Sequence, residues 1–259
     1  MRTARSGHRG EGYFAAAPPR VLAHRGLAIE APENTLLAFA KALAVGVDFV
    51  ETDVHVSADG VAVVSHDPRL DRVAGREVSV DQLTAAELRR IDLGHGQGFP
   101  TLADALDAFP QARFNIDVKD AGAVLPAAEA IRAQNATNRV LITSFSEARR
   151  QAALRELPGV ATSAAMGTAA RMLAASKFRL GGQVTRILRS VDAVQLPERW
   201  KGVRVVTPRL IRLAHAAGVE VHVWTVNDPA DMVRLLDLGV DGIVTDRADL
   251  AMAVLHSRA

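Results

Sequence analysis

Residues 45–67, with the sequence VGVDFVETDVHVSADGVAVVSHD, contain two apolar runs typical of buried strands. Only residues 57–60 separate them, and Asp59-Gly60 is a common hairpin turn. A parallel crossover needs about a dozen or more residues, so the run at 61–66 must pair antiparallel with the run at 48–54. We therefore expect the hairpin to return His66 to the neighbourhood of Glu51.

Outside this hairpin, short apolar runs alternate with helix-length amphipathic segments, a pattern typical of βα units around a parallel sheet. With residues 61–66 set aside as antiparallel, eight candidate parallel strands remain at 21–24, 48–54, 114–118, 140–143, 160–164, 193–195, 219–224 and 242–245. Eight such strands predict an α/β fold, a (β/α)8 TIM barrel. We expect a flexible N-terminal tail at 1–20 and one domain at 21–259, with a small insertion after the His66 strand at about 68–99.

The composition limits the chemistry. The chain has 259 residues, 49% of them hydrophobic, and no cysteine, which excludes disulfides, thiolate zinc sites and a cysteine nucleophile. The apolar stretch at 13–17 is shorter than a signal-peptide core, and no run approaches the roughly 18 apolar residues of a membrane span. We therefore expect a soluble, cytoplasmic enzyme.

Two carboxylates lie between two histidines in the sequence. Glu51 and Asp53, two residues apart in a strand, project from the same face. Such like charges repel unless a cation joins them, and oxygen ligands suit a hard ion such as Mg²⁺ or Ca²⁺. His24 and His66 carry imidazoles that exchange protons near neutral pH, so they are candidates for the acid and the base.

Several polar residues fall at the ends of predicted strands, where barrels of this kind place their active sites. Asp117 and Lys119 end the strand at 114–118 and share a face, so they can join the same centre, although a local ion pair between them is the alternative. Trp224 ends another strand. Three carboxylates, two imidazoles, Arg25 and Lys119 form a site suited to a phosphate ester.

A series of short motifs, in order over about residues 21–250, resembles the glycerophosphodiester phosphodiesterase family. They are LAHRG at 22–26, APENT at 31–35, VETDV at 50–54, DG at 59–60, HDP at 66–68, LT at 83–84 with EL at 87–88, FPTL at 99–102, NIDVK at 115–119, SF at 144–145, WTVN at 224–227 and DGIVTD at 241–246. The resemblance implies hydrolysis of glycerophosphodiesters to sn-glycerol 3-phosphate and an alcohol, through a cyclic phosphate.

The resemblance also implies residue roles. His24 and His66 would be the acid and base, and Glu51 and Asp53 would hold one divalent metal ion, Mg²⁺, Ca²⁺ or Mn²⁺. Arg25 and Lys119 would contact phosphate, and Phe145 and Trp224 would wall the glycerol pocket. Where the family usually has glutamate, this chain has Asp117, which is shorter by roughly 1.5 Å. Asp117 is therefore expected to bind the metal either directly or through a water.

Alternatives to this interpretation remain open. One is a phospholipase D-like activity on lysophospholipids, and another is a non-catalytic phosphate-ligand binder. The net charge is only +2, yet basic residues crowd one stretch, which predicts either a solvated helix surface or a positive flank that attracts an anionic substrate or, weakly, an anionic membrane surface. These residues are Arg171, Lys177, Arg179, Arg186, Arg189, Arg199, Lys201, Arg204, Arg209 and Arg212.

Three further expectations concern nucleic-acid partners and two other histidines, His55 and His95. Aromatic residues make up 4% of the chain and no recognised nucleic-acid motif accompanies the basic stretch, so nucleic acid is not an expected partner. We interpret His55 as structural or surface, facing away from Asp53. We interpret His95, in the glycine-rich loop 94–98, as a mobile surface residue.

Overall fold

The computed structural model describes residues 12–178 and 180–258. Its main sheet contains eight parallel strands: β1 (Arg20–His24), β2 (Phe49–Val56), β4 (Arg113–Val118), β5 (Val140–Thr143), β6 (Ala161–Thr162), β7 (Ala193–Pro197), β10 (Glu220–Trp224) and β11 (Gly242–Thr245). They are paired in the order β6-β5-β4-β2-β1-β11-β10-β7. A parallel bridge between Ser163 and Ala193 links β6 to β7 and nearly closes the barrel. The predicted TIM barrel is confirmed.

The remaining strands form two antiparallel pairings. Strand β3 (Ala62–Val64) pairs antiparallel with β2, as the four-residue connection predicted. A second hairpin, β8 (Arg199–Trp200) with β9 (Val203–Arg204), follows β7 and was not predicted. It is a separate two-stranded sheet outside the barrel.

Helices cover the outside of the barrel. They are α1 (Leu36–Ala44), α2 (Asp71–Ala74), α3 (Ala85–Arg90), α4 (Leu102–Ala108), α5 (Val124–Ala133), α6 (Glu147–Glu156), α7 (Met166–Lys177), α8 (Gly181–Ile187), α9 (Pro208–Ala216), α10 (Pro229–Asp237) and α11 (Ala248–His256), with 3-10 helices at Val80–Gln82, Thr137–Arg139 and Leu188–Ser190. Within the described ranges, none of them is long and apolar enough to cross a membrane.

Strand alternation decides which side chains enter the barrel. On β4, Phe114 and Ile116 belong to the apolar cluster packed under the helices, while Asn115 and Asp117 lie on the other face. The parallel register pairs Glu51 with Asn115 and Asp53 with Asp117 across β2 and β4. The polar residues of both strands therefore enter the barrel interior at matching heights.

The segment predicted as an insertion, 68–99, contains α2, the 3-10 helix Val80–Gln82 and α3. A small apolar cluster stabilises it; its buried members are Val63, Leu70, Val80, Leu88, Ile91 and Phe99. Helix α3 begins with a capping box, in which Thr84 accepts a hydrogen bond from the amide of Glu87 and the Glu87 carboxylate accepts one from the amide of Thr84.

Part of the expected tail is packed against the barrel. Residues 1–11 lie outside the described part of the chain, but Tyr13 is fully buried and its ring contacts Phe49 edge-on at 5.2 Å. Arg113 donates a hydrogen bond to the Gly12 carbonyl oxygen. Residues 12–19 therefore belong to the packed domain, because the amino ends of the strands offer an apolar surface that Tyr13 covers.

A buried ion pair ties two strands together at this amino end. Arg20, the first residue of β1, donates to both carboxylate oxygens of Glu220, the first residue of β10, at 2.8 and 2.9 Å. His222 lies 3.1 Å from the same carboxylate. Burial alone would raise the pKa of Glu220, but these hydrogen bonds outweigh it and lower the pKa to about 2.

We expect Glu220→Gln to lower the free energy of unfolding at pH 7 by about 3 kcal/mol, because Arg20 is left buried without its counter-charge. The folded pKa lies below the ordinary value of 4.5, so the pair stabilises fully above pH 4.5 and its contribution is lost as pH falls toward about 2. Urea denaturation at pH 7 and pH 3 should show the difference between wild type and variant shrinking at the lower pH.

The matched control is Glu156→Gln, at a half-exposed carboxylate 3.7 Å from Arg132. Its effect should stay within about 0.5 kcal/mol, since exposed pairs contribute little. Equal stability of Glu220→Gln and wild type at pH 7 would contradict the assignment.

Candidate active site

All nine residues predicted for the site line a single pocket of about 750 Å³ at the carboxyl ends of the strands. They are His24, Arg25, Glu51, Asp53, His66, Asp117, Lys119, Phe145 and Trp224. The antiparallel hairpin of β2 and β3 brings His66 to the pocket that Glu51 also lines. Residues spread over two hundred positions of sequence thus share one cavity.

Three buried carboxylates form the floor of this pocket: Glu51, Asp53 and Asp117. Burial, reinforced by the neighbouring charge of Asp53, raises the pKa of Glu51 to about 8. Burial also raises the pKa of Asp117. The cluster therefore carries more negative charge than its surroundings stabilise, which favours binding of a cation.

Lys119 supplies one positive charge to the cluster. Its ammonium lies 2.7 Å from Asp117 Oδ2 and 2.8 Å from Asp53 Oδ1. Burial would lower the pKa of Lys119, but Asp53 and Asp117 outweigh it and raise the pKa. The ion pair between Asp117 and Lys119, left open by the sequence, is present, and it extends to a second carboxylate.

The donor set of the cluster suits a divalent ion. Among the described residues, no group of three or more histidine, aspartate or glutamate side chains is already arranged to hold a metal ion. However, the buried oxygens Asp117 Oδ1 and Asn115 Oδ1 have no hydrogen-bond partner among the described residues. Unsatisfied buried oxygens are costly, and carboxylate and amide oxygens are what hard cations bind. The residues present therefore fit an oxygen-bound divalent ion.

His24 is oriented by a carboxylate from the far end of the chain. Its Nδ1 lies 2.6 Å from Asp246 Oδ1, and Asn227 donates to the other oxygen of Asp246 at 2.8 Å. Its Nε2 lies 3.9 Å from Glu51. Burial opposes the charged form of His24, but the bond to Asp246 and the charge of Glu51 outweigh it and raise the pKa of His24.

His66 has a carboxylate partner as well. Its Nδ1 lies 2.7 Å from Asp67 Oδ1, and the other oxygen of Asp67 accepts from Arg72 Nε at 2.5 Å. Arg72 also donates to Glu33, which accepts a hydrogen bond from Arg25 at 3.0 Å. This chain of charges links helix α2 to the arginine predicted to contact phosphate.

The pocket also has apolar lining residues. Phe145 and Trp224 meet edge-on with ring centroids 6.5 Å apart, and the Lys119 ammonium lies 5.8 Å from the centre of the Phe145 ring. Further apolar groups line the same pocket: Ala164, Met166, Ala169, Ala170, Leu173, Leu196, Trp200 and Val205. One pocket therefore combines charged and apolar side chains.

The Glycerophosphoryl diester phosphodiesterase family model matches residues 24–250, which is most of the chain. The chain belongs to this family. A Mycobacterium tuberculosis protein described as probable glycerophosphodiester phosphodiesterase 2 is 47% identical over 92% of this chain and 90% of its own length. A glycerophosphodiester phosphodiesterase of Caldanaerobacter subterraneus subsp. tengcongensis is 31% identical over 87% of this chain and 93% of its own.

Solved structures agree with the fold. The crystal structure of glycerophosphodiester phosphodiesterase from Agrobacterium tumefaciens superposes with a TM-score of 0.75 at 26% identity, covering 92% of this chain and 99% of that one. An Oleispira antarctica phosphodiesterase, solved with the product sn-glycerol-3-phosphate, has a TM-score of 0.77 at 22% identity, covering 92% and 97%. The present chain is accordingly an enzyme, a phosphodiesterase that hydrolyses glycerophosphodiesters.

In this phosphodiesterase, His55 is structural, which is one of the two roles expected for it. Because His55 and Asp53 are two residues apart in β2, alternation places them on the same face, so the expectation that His55 faces away from Asp53 was wrong. It is buried, with Nδ1 3.0 Å from Asp120 and Nε2 3.2 Å from the His66 carbonyl oxygen. His55 is therefore structural, but it supports the loop that carries a site histidine. His95 is exposed.

Sequence reasoning missed other members of the phosphodiesterase site. Asp246 ends a motif that was recognised, and its place after a barrel strand was a usable signal. Asp67 directly follows His66 and carried a similar signal. Trp200 lines the pocket from the unpredicted hairpin.

Proposed function

We propose that the chain hydrolyses glycerophosphodiesters with the help of one divalent metal ion, releasing sn-glycerol 3-phosphate and an alcohol. One observation carries the proposal: a buried carboxylate cluster shares a pocket with two histidines that each have a carboxylate partner. The cluster suits a cation that binds phosphate oxygens, and the paired imidazoles suit proton transfer.

Glu51, Asp53 and Asp117 are the residues that would hold the ion, with Mg²⁺ or Ca²⁺ favoured by the all-oxygen set and Mn²⁺ as an alternative. When bound, such an ion supplies positive charge that stabilises the phosphate oxygens during displacement. The unsatisfied Asp117 Oδ1 supports a role for the shorter aspartate, either directly or through a water.

Substrate phosphate is bound by Arg25 and Lys119 in this proposal. Arg25 Nε lies only 3.5 Å from Asp53, so its guanidinium already points into the cluster. Lys119 lies between two of the carboxylates that would hold the cation, and its ammonium would contact the phosphate. Phe145 and Trp224 provide flat apolar surfaces against which the glycerol carbons pack.

The two histidines transfer the protons. In the first step, one imidazole takes the proton of the glycerol hydroxyl next to the phosphate, whose oxygen then attacks phosphorus. The bond from phosphorus to the alcohol breaks, and the other imidazole protonates the departing oxygen. Water then opens the cyclic phosphate with the roles reversed.

A second substrate class is supported by the apolar lining of the pocket. Lysophospholipids are glycerophosphodiesters with an acyl chain, and the wall formed by Met166, Leu173 and Leu196 offers room for apolar carbons. Hydrolysis of their headgroup bond is the phospholipase D-like alternative.

A cytoplasmic location stays a prediction.

The test is release of glycerol 3-phosphate from glycerophosphocholine by protein first treated with a chelator and then supplied with Mg²⁺, Mn²⁺ or Ca²⁺. We expect no release without metal and restored release with at least one ion. Lysophosphatidylcholine, assayed in parallel for choline, tests the second substrate class. Binding of glycerol 3-phosphate without metal-stimulated turnover of either substrate would favour a non-catalytic binder and overturn the proposal.

A further inference from the structure

The hairpin of β8 and β9 lies beside the mouth of the pocket. It begins two residues after Pro197, the last residue of β7, and therefore stands at the carboxyl end of the barrel. Its turn consists of Lys201 and Gly202, both with positive φ, at 48° and 81°. Two such residues in sequence are typical of the tight type I′ turn. The hairpin therefore presents Lys201 at a narrow tip.

The two faces of this hairpin differ in chemistry. Trp200 pairs across the hairpin with Val203, and Arg199 pairs with Arg204. Directly opposed residues share a face and successive residues alternate, so one face is apolar and the other is basic. Trp200 and Val203 are 55% and 67% exposed. A tryptophan and a valine are thus held together in solvent, next to three cations.

The hairpin has a firm base. The Glu198 carbonyl oxygen accepts hydrogen bonds from the amides of Val205 and Val206, at 2.9 and 3.3 Å. The Glu198 carboxylate lies 2.8 Å from Arg234 of α10 and 3.3 Å from Arg204. The exposed apolar face is therefore supported by the barrel.

The apolar face continues around the mouth of the pocket. Phe145 and Met166, which line the same pocket as Trp200, are 53% and 58% exposed. Large apolar groups that remain exposed together, with charges at their edge, are typical of an interaction surface. We call Phe145, Met166, Trp200 and Val203 the apolar rim.

The basic stretch 171–212 divides in the structure. Arg199, Lys201 and Arg204 belong to the hairpin at the carboxyl end, where Arg204 is paired with Glu198, whereas Arg189 lies in the 3-10 helix that precedes the amino end of β7. Arg179 lies outside the described residues. The basic residues next to the apolar rim are therefore those of the hairpin.

We propose that the apolar rim and the hairpin cations dock the enzyme on an anionic lipid bilayer. Tryptophan favours the interface between headgroups and acyl chains, and arginine and lysine beside it attract anionic headgroups. Few exposed apolar groups and three cations give weak, reversible docking, with the mouth of the pocket turned toward the lipid. This inference does not depend on the metal or on the proton-transfer roles.

Co-sedimentation with vesicles tests the docking. Binding should be stronger to phosphatidylcholine vesicles that contain phosphatidylglycerol than to pure phosphatidylcholine, and high salt should weaken it. The double variant Arg199→Gln/Lys201→Gln should weaken binding to the anionic vesicles roughly thirtyfold. It should retain activity on water-soluble glycerophosphocholine, so a failure of docking is distinguishable from a failure of the proposed function.

The matched control is Arg132→Gln/Arg155→Gln, which removes the same charge at the C-terminal ends of α5 and α6, the opposite end of the barrel. It should leave binding to the anionic vesicles within about twofold of wild type, because these residues would face away from the membrane. Equal losses in the two double variants, or no preference for anionic vesicles, would overturn the proposal.

Fluorescence locates the docking face. The chain has two tryptophans, so Trp224→Phe leaves Trp200 as the sole reporter. Its emission should shift to shorter wavelength with anionic vesicles and be quenched by brominated lipid. A Trp200 that stays in water on bound vesicles would overturn the proposal. The same shift without vesicles, as protein concentration rises, would instead indicate a second copy of the chain.

Discussion

His66→Ala should lower kcat for glycerophosphocholine by roughly 10²–10⁴-fold, and His24→Ala should do the same, because each removes one member of the proton-transferring pair. Neither ring lies in an apolar cluster, and both face the pocket, so the fold should survive. Steady-state kinetics with saturating metal gives kcat, and urea denaturation monitors stability.

His95→Ala is the matched control for these variants. His95 is an exposed histidine in the segment 68–99, and the pocket is lined without it. Its kcat should match that of wild type. A His66→Ala protein that retains wild-type kcat, or a His95→Ala protein that loses as much, would remove His66 from the catalytic pair.

Asp53→Asn should abolish most of the metal-stimulated activity. The substitution keeps the size of the side chain but removes a charge at the centre of the cluster, where Asp53 contacts Lys119 at 2.8 Å and accepts a hydrogen bond from Asn34 at 3.1 Å. A bound metal stabilises the transition state by several kcal/mol, so we expect a loss on the order of 10³-fold in kcat. Metal titration by calorimetry should show weakened binding.

The control for Asp53→Asn is Asp107→Asn, at an exposed carboxylate on α4. It should change neither metal affinity nor kcat. If Asp53→Asn binds Mg²⁺, Mn²⁺ and Ca²⁺ as tightly as wild type, the cluster around Lys119 is a structural ion pair and the metal is held elsewhere.

The strands of the barrel were largely predictable because their signals are local. The run at 61–66 had to be antiparallel, since four residues cannot cross a sheet, and β3 does pair antiparallel with β2. Alternation along β2 and β4 placed Glu51, Asp53 and Asp117 on the inward face. The resemblance to the phosphodiesterase family then implied metal-binding roles for these three carboxylates, which alternation had already placed on the inward face.

The hairpin of β8 and β9 escaped prediction because its signal is weak. Each strand has two residues, too few for alternation to show, and the turn uses Lys201 before Gly202 in place of the usual asparagine or aspartate. The packing of Tyr13 was missed for a related reason: a single aromatic residue in a segment rich in small residues and proline has no periodicity.

The amino-acid sequence alone was sufficient to predict the eight strands, the antiparallel hairpin that carries His66 and the inward-facing carboxylates. The spacing of hydrophobic residues and the length of a loop depend only on residues that are close in sequence. The partners of the site residues required the folded chain. Asp246 reaches His24 across 222 positions, and Lys119 is shared by carboxylates from two strands. Such contacts depend on how the barrel closes, and no local pattern encodes that geometry.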